Sequence, residues 1–114
     1  MDNLEFINID LFKQSYYKGM LPLTSINDFL KDFDSREIDA VTKTLISIFD
    51  VAITKTILNN LEEISDKQEF LRLTQADYSS NDIMDFLTDK FPGSEELIKQ
   101  TLERTLLSAK RAIL

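Results

Sequence analysis

Residues 45–53 read Leu45-Ile46-Ser47-Ile48-Phe49-Asp50-Val51-Ala52-Ile53, the densest apolar block in the chain. Seven of these nine side chains are apolar. A run this short in a helix-compatible context reads as a helix apolar around most of its circumference, which outside a membrane means a helix surrounded by others. Extending the pattern outward predicts one long helix over about 35–62. Ile38, Val41, Leu45, Ile48 and Ala52 form one stripe at helical spacing, and Ile46, Phe49, Ile53 and Ile57 form a second beside it. Asp39, Lys43, Ser47, Asp50 and Thr54 follow at steps of four and three, so they share one narrow polar strip. The Ile, Val and Thr content lowers intrinsic helix propensity, so packing must hold this element.

The flanking residues predict further helices. Ser25 with Asp28, Asp34 with Glu37, and Ser65 with Gln68 have the spacing of capping boxes. Ile26, Phe29, Leu30 and Phe33 supply one apolar face, and Phe70, Leu71 and Leu73 another. A polar connector over 76–80 leads to a helix carrying Ile83, Met84, Phe86, Leu87 and Phe91. Pro92-Gly93-Ser94 stops that helix and opens the last one, whose inner face is Leu97, Ile98, Leu102, Leu106, Ala109 and Ile113. Glu95 and Glu96 in its first turn and Lys110 and Arg111 near its end both complement the helix dipole. Residues 4–12 permit a strand, a helix or an arm. A lone strand would have no ladder partner, which favours a helix or an extended arm packed on the core over 1–23. The expected fold is all-α, a compact bundle of about five helices around one central helix, in a single domain over 1–114.

From Phe29 onward the order of motifs resembles a known type. The central helix ends in Leu58-Asn59-Asn60-Leu61-Glu62-Glu63, and Glu69-Phe70-Leu71-Arg72-Leu73 follows. Then come Ile83-Met84-Asp85-Phe86-Leu87-Thr88-Asp89-Lys90-Phe91-Pro92 and Glu95-Glu96-Leu97-Ile98. The run over 29–114 is similar to a family of small, acidic, all-helical bacterial domains with no assigned function. The resemblance implies a helical fold and brings no catalytic residue with it.

Composition excludes much chemistry. The chain has no Cys and no His, and only two Gly and two Pro. Disulfides are therefore excluded, and the commonest general base and metal ligand are missing. A Gly-rich phosphate loop is not expected. The net charge of −7 argues against direct nucleic-acid binding and against an anionic membrane surface, and suits a basic protein partner. The N-terminal residues have no basic or apolar leader pattern, and no apolar run approaches a membrane span, so a soluble cytoplasmic protein is expected. No cofactor is expected.

Candidate site residues are few. Asp82, Asp85 and Asp89 share one helix face, which suits either a solvated surface or a hard cation. Water is the favoured reading, so no metal site is assigned. Asp32-Phe33-Asp34 begins like a calcium loop, but the central Gly is missing and Arg36 stands where an oxygen ligand belongs. Asp50 interrupts the apolar block as a buried general acid would, yet its place on the polar strip favours an exposed or paired carboxylate. Tyr16 and Tyr17 are candidate partner-binding anchors, with core packing and wet ring tips the commoner alternative. The Ser and Thr hydroxyls are better read as caps than as nucleophiles, because no His activates them.

Charge is the feature that stands apart. Residues 62–96 carry ten acids against three bases, the whole of the net −7, while 99–114 carry four bases against one acid. The expected function is a non-enzymatic protein–protein interaction module. The partner-binding candidates are Asp82, Asp85, Asp89, Tyr16 and Tyr17. The alternative is a nucleic-acid mimic that inhibits a basic nucleic-acid-binding protein or nuclease. A structural homodimer through the central or last helix is the third reading.

Overall fold

A computed structural model describes residues 9–12, 15–75 and 80–113. Five α-helices follow two short 3-10 turns: Ile9–Phe12, Lys18–Met20, then α1 (Leu23–Leu30), α2 (Ile38–Asn60), α3 (Ile64–Gln75), α4 (Ser80–Lys90) and α5 (Ser94–Ile113). No strand occurs among the described residues, so the all-α reading holds. The expected arm lies partly outside this range. Of the residues read as strand, helix or arm, only 9–12 are described, and they form a 3-10 turn. The polar connector lies outside the described residues at 76–79.

α2 has 23 residues and spans about 34 Å at ~1.5 Å per residue. Its buried side chains are Ile38, Thr42, Leu45, Phe49, Ile53 and Ile57, a single stripe at steps of four and three. Thr42 fits this stripe because its hydroxyl donates to the Ile38 carbonyl at 2.7 Å. The side chain thus spends its polarity on its own helix and presents its methyl to the core. α5 makes the most extensive contact with α2, while α1 and the first 3-10 turn pack beside it. α3 and α4 pack on each other, and α4 continues onto α5.

The expectation that α2 meets water only along the narrow strip from Asp39 to Thr54 is corrected. Val51 is 69% exposed and Ile48 38%. The elements that pack on α2 cover one side only, so half of its circumference meets water. The two predicted stripes merge into one around Leu45 and Phe49.

The remaining core draws on the first 3-10 turn and on α1, α3, α4 and α5. Phe12, Tyr17, Ile26, Phe29, Leu30, Phe70, Leu87, Ile98 and Leu102 are fully or almost fully buried and belong to one cluster with the α2 stripe. The residues before α1 are tied to α3 as well, because the Tyr16 ring meets Phe70 edge-on with centroids 6.2 Å apart. Burying a large apolar side chain is worth roughly 1.5–3 kcal/mol. Phe12 and Tyr17 are therefore core members, with Tyr16 packed against them.

Helix starts differ from the capping boxes expected. α1 begins at Leu23 with Pro22 at its cap, and Asp28 pairs with Lys31 at 2.9 Å instead of reaching back to Ser25. The proline ring fixes its own φ near a helix-compatible value, which sets the start upstream of Ser25. Asp34 accepts the Arg36 N–H at 2.9 Å and also pairs with the Arg36 guanidinium at 3.1 Å. That local turn postpones α2 to Ile38, with the Val41 N–H donating to the Glu37 carbonyl. At the other end Phe91, Pro92, Gly93 and Ser94 form a tight turn. Ser94 N–H donates to the Phe91 carbonyl at 3.1 Å and Gly93 adopts φ +89. Proline then glycine at the two central positions is the pattern of a type II turn, which needs positive φ at the second.

Candidate interaction surface

Asp82, Asp85 and Asp89 all lie on the exposed side of α4. The opposite side buries Ile83 and Leu87, with Met84 and Phe86 half-buried between. An i, i+3, i+7 row on an amphipathic helix faces outward once the apolar side is docked. The row spans about 10 Å at ~1.5 Å per residue. Its local cations are already engaged. Lys90 lies 3.7 Å from Asp89, and Arg72 on neighbouring α3 grips Glu69 in two-pronged fashion at 2.5 and 2.7 Å. Among the described residues no group of three acids is close enough to hold a metal ion.

The two tyrosines go elsewhere. Tyr17 is fully buried and its hydroxyl donates to the Asp50 carboxylate, 33 residues away in sequence. It does not present a surface to a partner, which corrects its assignment as a partner-binding anchor. The ring is enclosed because the turn into Lys18–Met20 lays it against the core. Tyr16 stacks edge-on against Tyr17 at 5.3 Å and is half-buried. Its hydroxyl oxygen is buried and has no hydrogen-bond partner among the described residues. The expected wet ring tip is thus absent at Tyr16, and it too is a packing residue. Burial, followed by the nearby Asp50 charge, pushes the Tyr16 hydroxyl well above the ordinary tyrosine range. Tyr17 is raised by burial first, then by its hydrogen bond to Asp50.

Asp50 itself is exposed on α2, so the carboxylate is paired through Tyr17 yet still reaches water. A carboxylate in that setting anchors a buried hydroxyl. The opposite contributions of the two phenols give a direct check in denaturant. Tyr17→Phe should cost about 1–2 kcal/mol, the worth of a hydrogen bond to a partly solvated charge. Tyr16→Phe removes a buried hydroxyl with no partner among the described residues and should be neutral or stabilising by about 1 kcal/mol. Equal losses at the two positions would contradict this placement.

Two features escaped the sequence reading. One is the Tyr17–Asp50 bond, for which no local spacing gives a signal. The other is a shallow groove along the seam between α2 and α5, floored by Ile48, Ala52 and Ala109. The small residues on both helices were its only signal in the sequence. No helix among the described residues is long and apolar enough to cross a membrane.

Comparison of the chain with protein-family models, curated proteins and solved structures finds no match. The likeness noted over 29–114 therefore rests on the pattern of residues alone.

Proposed function

We propose that this protein is a non-enzymatic binding module whose acidic surface on α4 engages a basic protein partner. The observation that carries this reading is the exposed row Asp82, Asp85 and Asp89, set in a segment that holds the whole net charge of the chain. A single-sign field of this kind raises the encounter rate with an oppositely charged partner and discriminates against acidic ones. The chain has no His or Cys, and its described acids form no metal-holding group. These facts support binding over catalysis.

The row of carboxylates along one helix also favours a second reading, in which α4 imitates a phosphate backbone and occupies the groove of a nucleic-acid-binding protein. Competition separates the two. A mimic is displaced from its partner by short duplex DNA or RNA, and an ordinary module is not.

Affinity capture from source cells at low and raised salt tests the proposal. The expected result is a small set of basic proteins retained at about 50 mM salt and lost when screening is increased several-fold. Recovery of nothing, together with turnover of a substrate, would overturn it.

A further inference from the structure

We infer that the groove along the α2–α5 seam takes an acidic amphipathic helix from a partner protein, which gives the molecule a second binding surface of opposite character to α4. The groove has a volume of about 520 Å³ beside Ile48 and Ala52, and it continues into a smaller hollow of about 180 Å³ beside Val41 and Thr44. The two share Ile48 and Ala109. Along α2 the wall is a ladder at steps of four, Ala40, Thr44, Ile48, Ala52 and Thr56. That ladder is about 24 Å long, the length of a helix of about four turns. Short side chains on both walls let a third helix approach closely, and Ile48 offers an apolar anchor point that is already 38% exposed.

Charge decides which helix fits. No acid lines either part of the groove, although acids outnumber bases twenty to thirteen in the chain. Lys55 and Arg104 flank it, both exposed. Lys55 also borders the hollow beside Asp50, yet neither it nor Arg104 forms an ion pair among the described residues. Arg104 makes only a long 3.5 Å bond from Nε to the Gln100 carbonyl of its own helix. Other cations are engaged locally, as with Lys31 on Asp28, Arg36 on Asp34, Arg72 on Glu69 and Lys99 on Glu95. An apolar floor flanked by two uncommitted cations complements a helix with small or branched apolar residues on one face and carboxylates at its edges. A basic helix would meet like charge at both positions.

The test is a titration of isotope-labelled full-length protein with three synthetic peptides of about 16 residues, followed by amide chemical shifts. One peptide is an amphipathic helix of Leu, Ala and Glu. The second has the same composition scrambled, and the third replaces Glu with Lys. The first should shift the amides of Ile48, Ala52, Lys55, Arg104 and Ser108, and should bind at least about tenfold more tightly than the scramble. The double variant Lys55→Glu, Arg104→Glu should weaken it by about tenfold or more. Asp82→Lys, Asp85→Lys and Asp89→Lys together should not weaken it, which separates this surface from the acidic one. Lys55→Gln with Arg104→Gln repeats the comparison if the charge-reversed protein loses its fold. The inference is overturned by shifts confined to other surfaces, by equal binding of the scrambled or Lys peptide in the groove, or by no shift at millimolar peptide. It is also overturned if the same amides shift on concentrating the protein alone, since a second copy would then be the occupant.

Discussion

Phe49→Ala should destabilise the protein by about 3–5 kcal/mol, the usual cost of emptying an aromatic site in a core. Phe49 is fully buried at the midpoint of the α2 stripe. Its removal deletes the transfer free energy of the ring and leaves a cavity that the surrounding helices fill only in part. Domains of this size are stable by roughly 5–15 kcal/mol, so about a fifth or more of the total would be lost. Val51, two residues on in the same apolar block, gives the contrast. It is 69% exposed, and Val51→Ala should change stability by less than about 0.5 kcal/mol. Guanidinium unfolding of the two variants measures the difference. Similar losses at both positions would mean that α2 is enclosed after all, or turned about its axis.

Alkaline titration should show the second large effect. Tyr16 and Tyr17 both have hydroxyls raised above the ordinary value near 10 by burial and by Asp50. Between pH 10 and the higher folded-state values, the unfolded chain releases these protons and the folded chain keeps them. Stability held below pH 10 is therefore lost as pH rises through that window. Each tyrosine contributes about 1.4 kcal/mol per pH unit, so the pair gives a slope near ~2.7 kcal/mol per unit. Unfolding midpoints in urea, followed from pH 9 to 12, should fall steeply once pH 10 is passed. Tyr16→Phe and Tyr17→Phe should each remove about half of the slope. An unchanged slope in the double variant would place the alkaline sensitivity elsewhere.

The elements of the fold were legible because helical periodicity survives in a single sequence. The steps of four through Phe49, Ile53 and Ile57 mark the inner face of α2 without any partner. The same holds for Ile98, Leu102 and Leu106 on α5. What periodicity does not report is how many neighbours are available to cover an apolar side. Ile48 and Val51 match the hydrophobic pattern as well as Leu45 does. They remain exposed because the packing elements approach from the Phe49 side. Cap positions were misplaced for a different reason. Ser25 with Asp28 and Asp34 with Glu37 have capping spacing, but Lys31 and Arg36 supply closer charged partners. On the acidic surface, the outward direction of Asp82, Asp85 and Asp89 followed from the apolar residues between them. Core packing was the commoner reading of Tyr17, but its partner Asp50 was not legible because it lies on a different element, 33 residues on.

The division of labour between α2 as the core post and α4 as the binding face meets its most direct test in charge reversal. Wild-type protein and the Asp82→Lys, Asp85→Lys, Asp89→Lys variant should be compared as baits in quantitative capture from the same source-cell extract. All three side chains are exposed, so the variant should keep its fold, which circular dichroism checks. The account predicts that basic proteins enriched by the wild type are lost from the variant. Equal recovery of the same partners by both baits would contradict it.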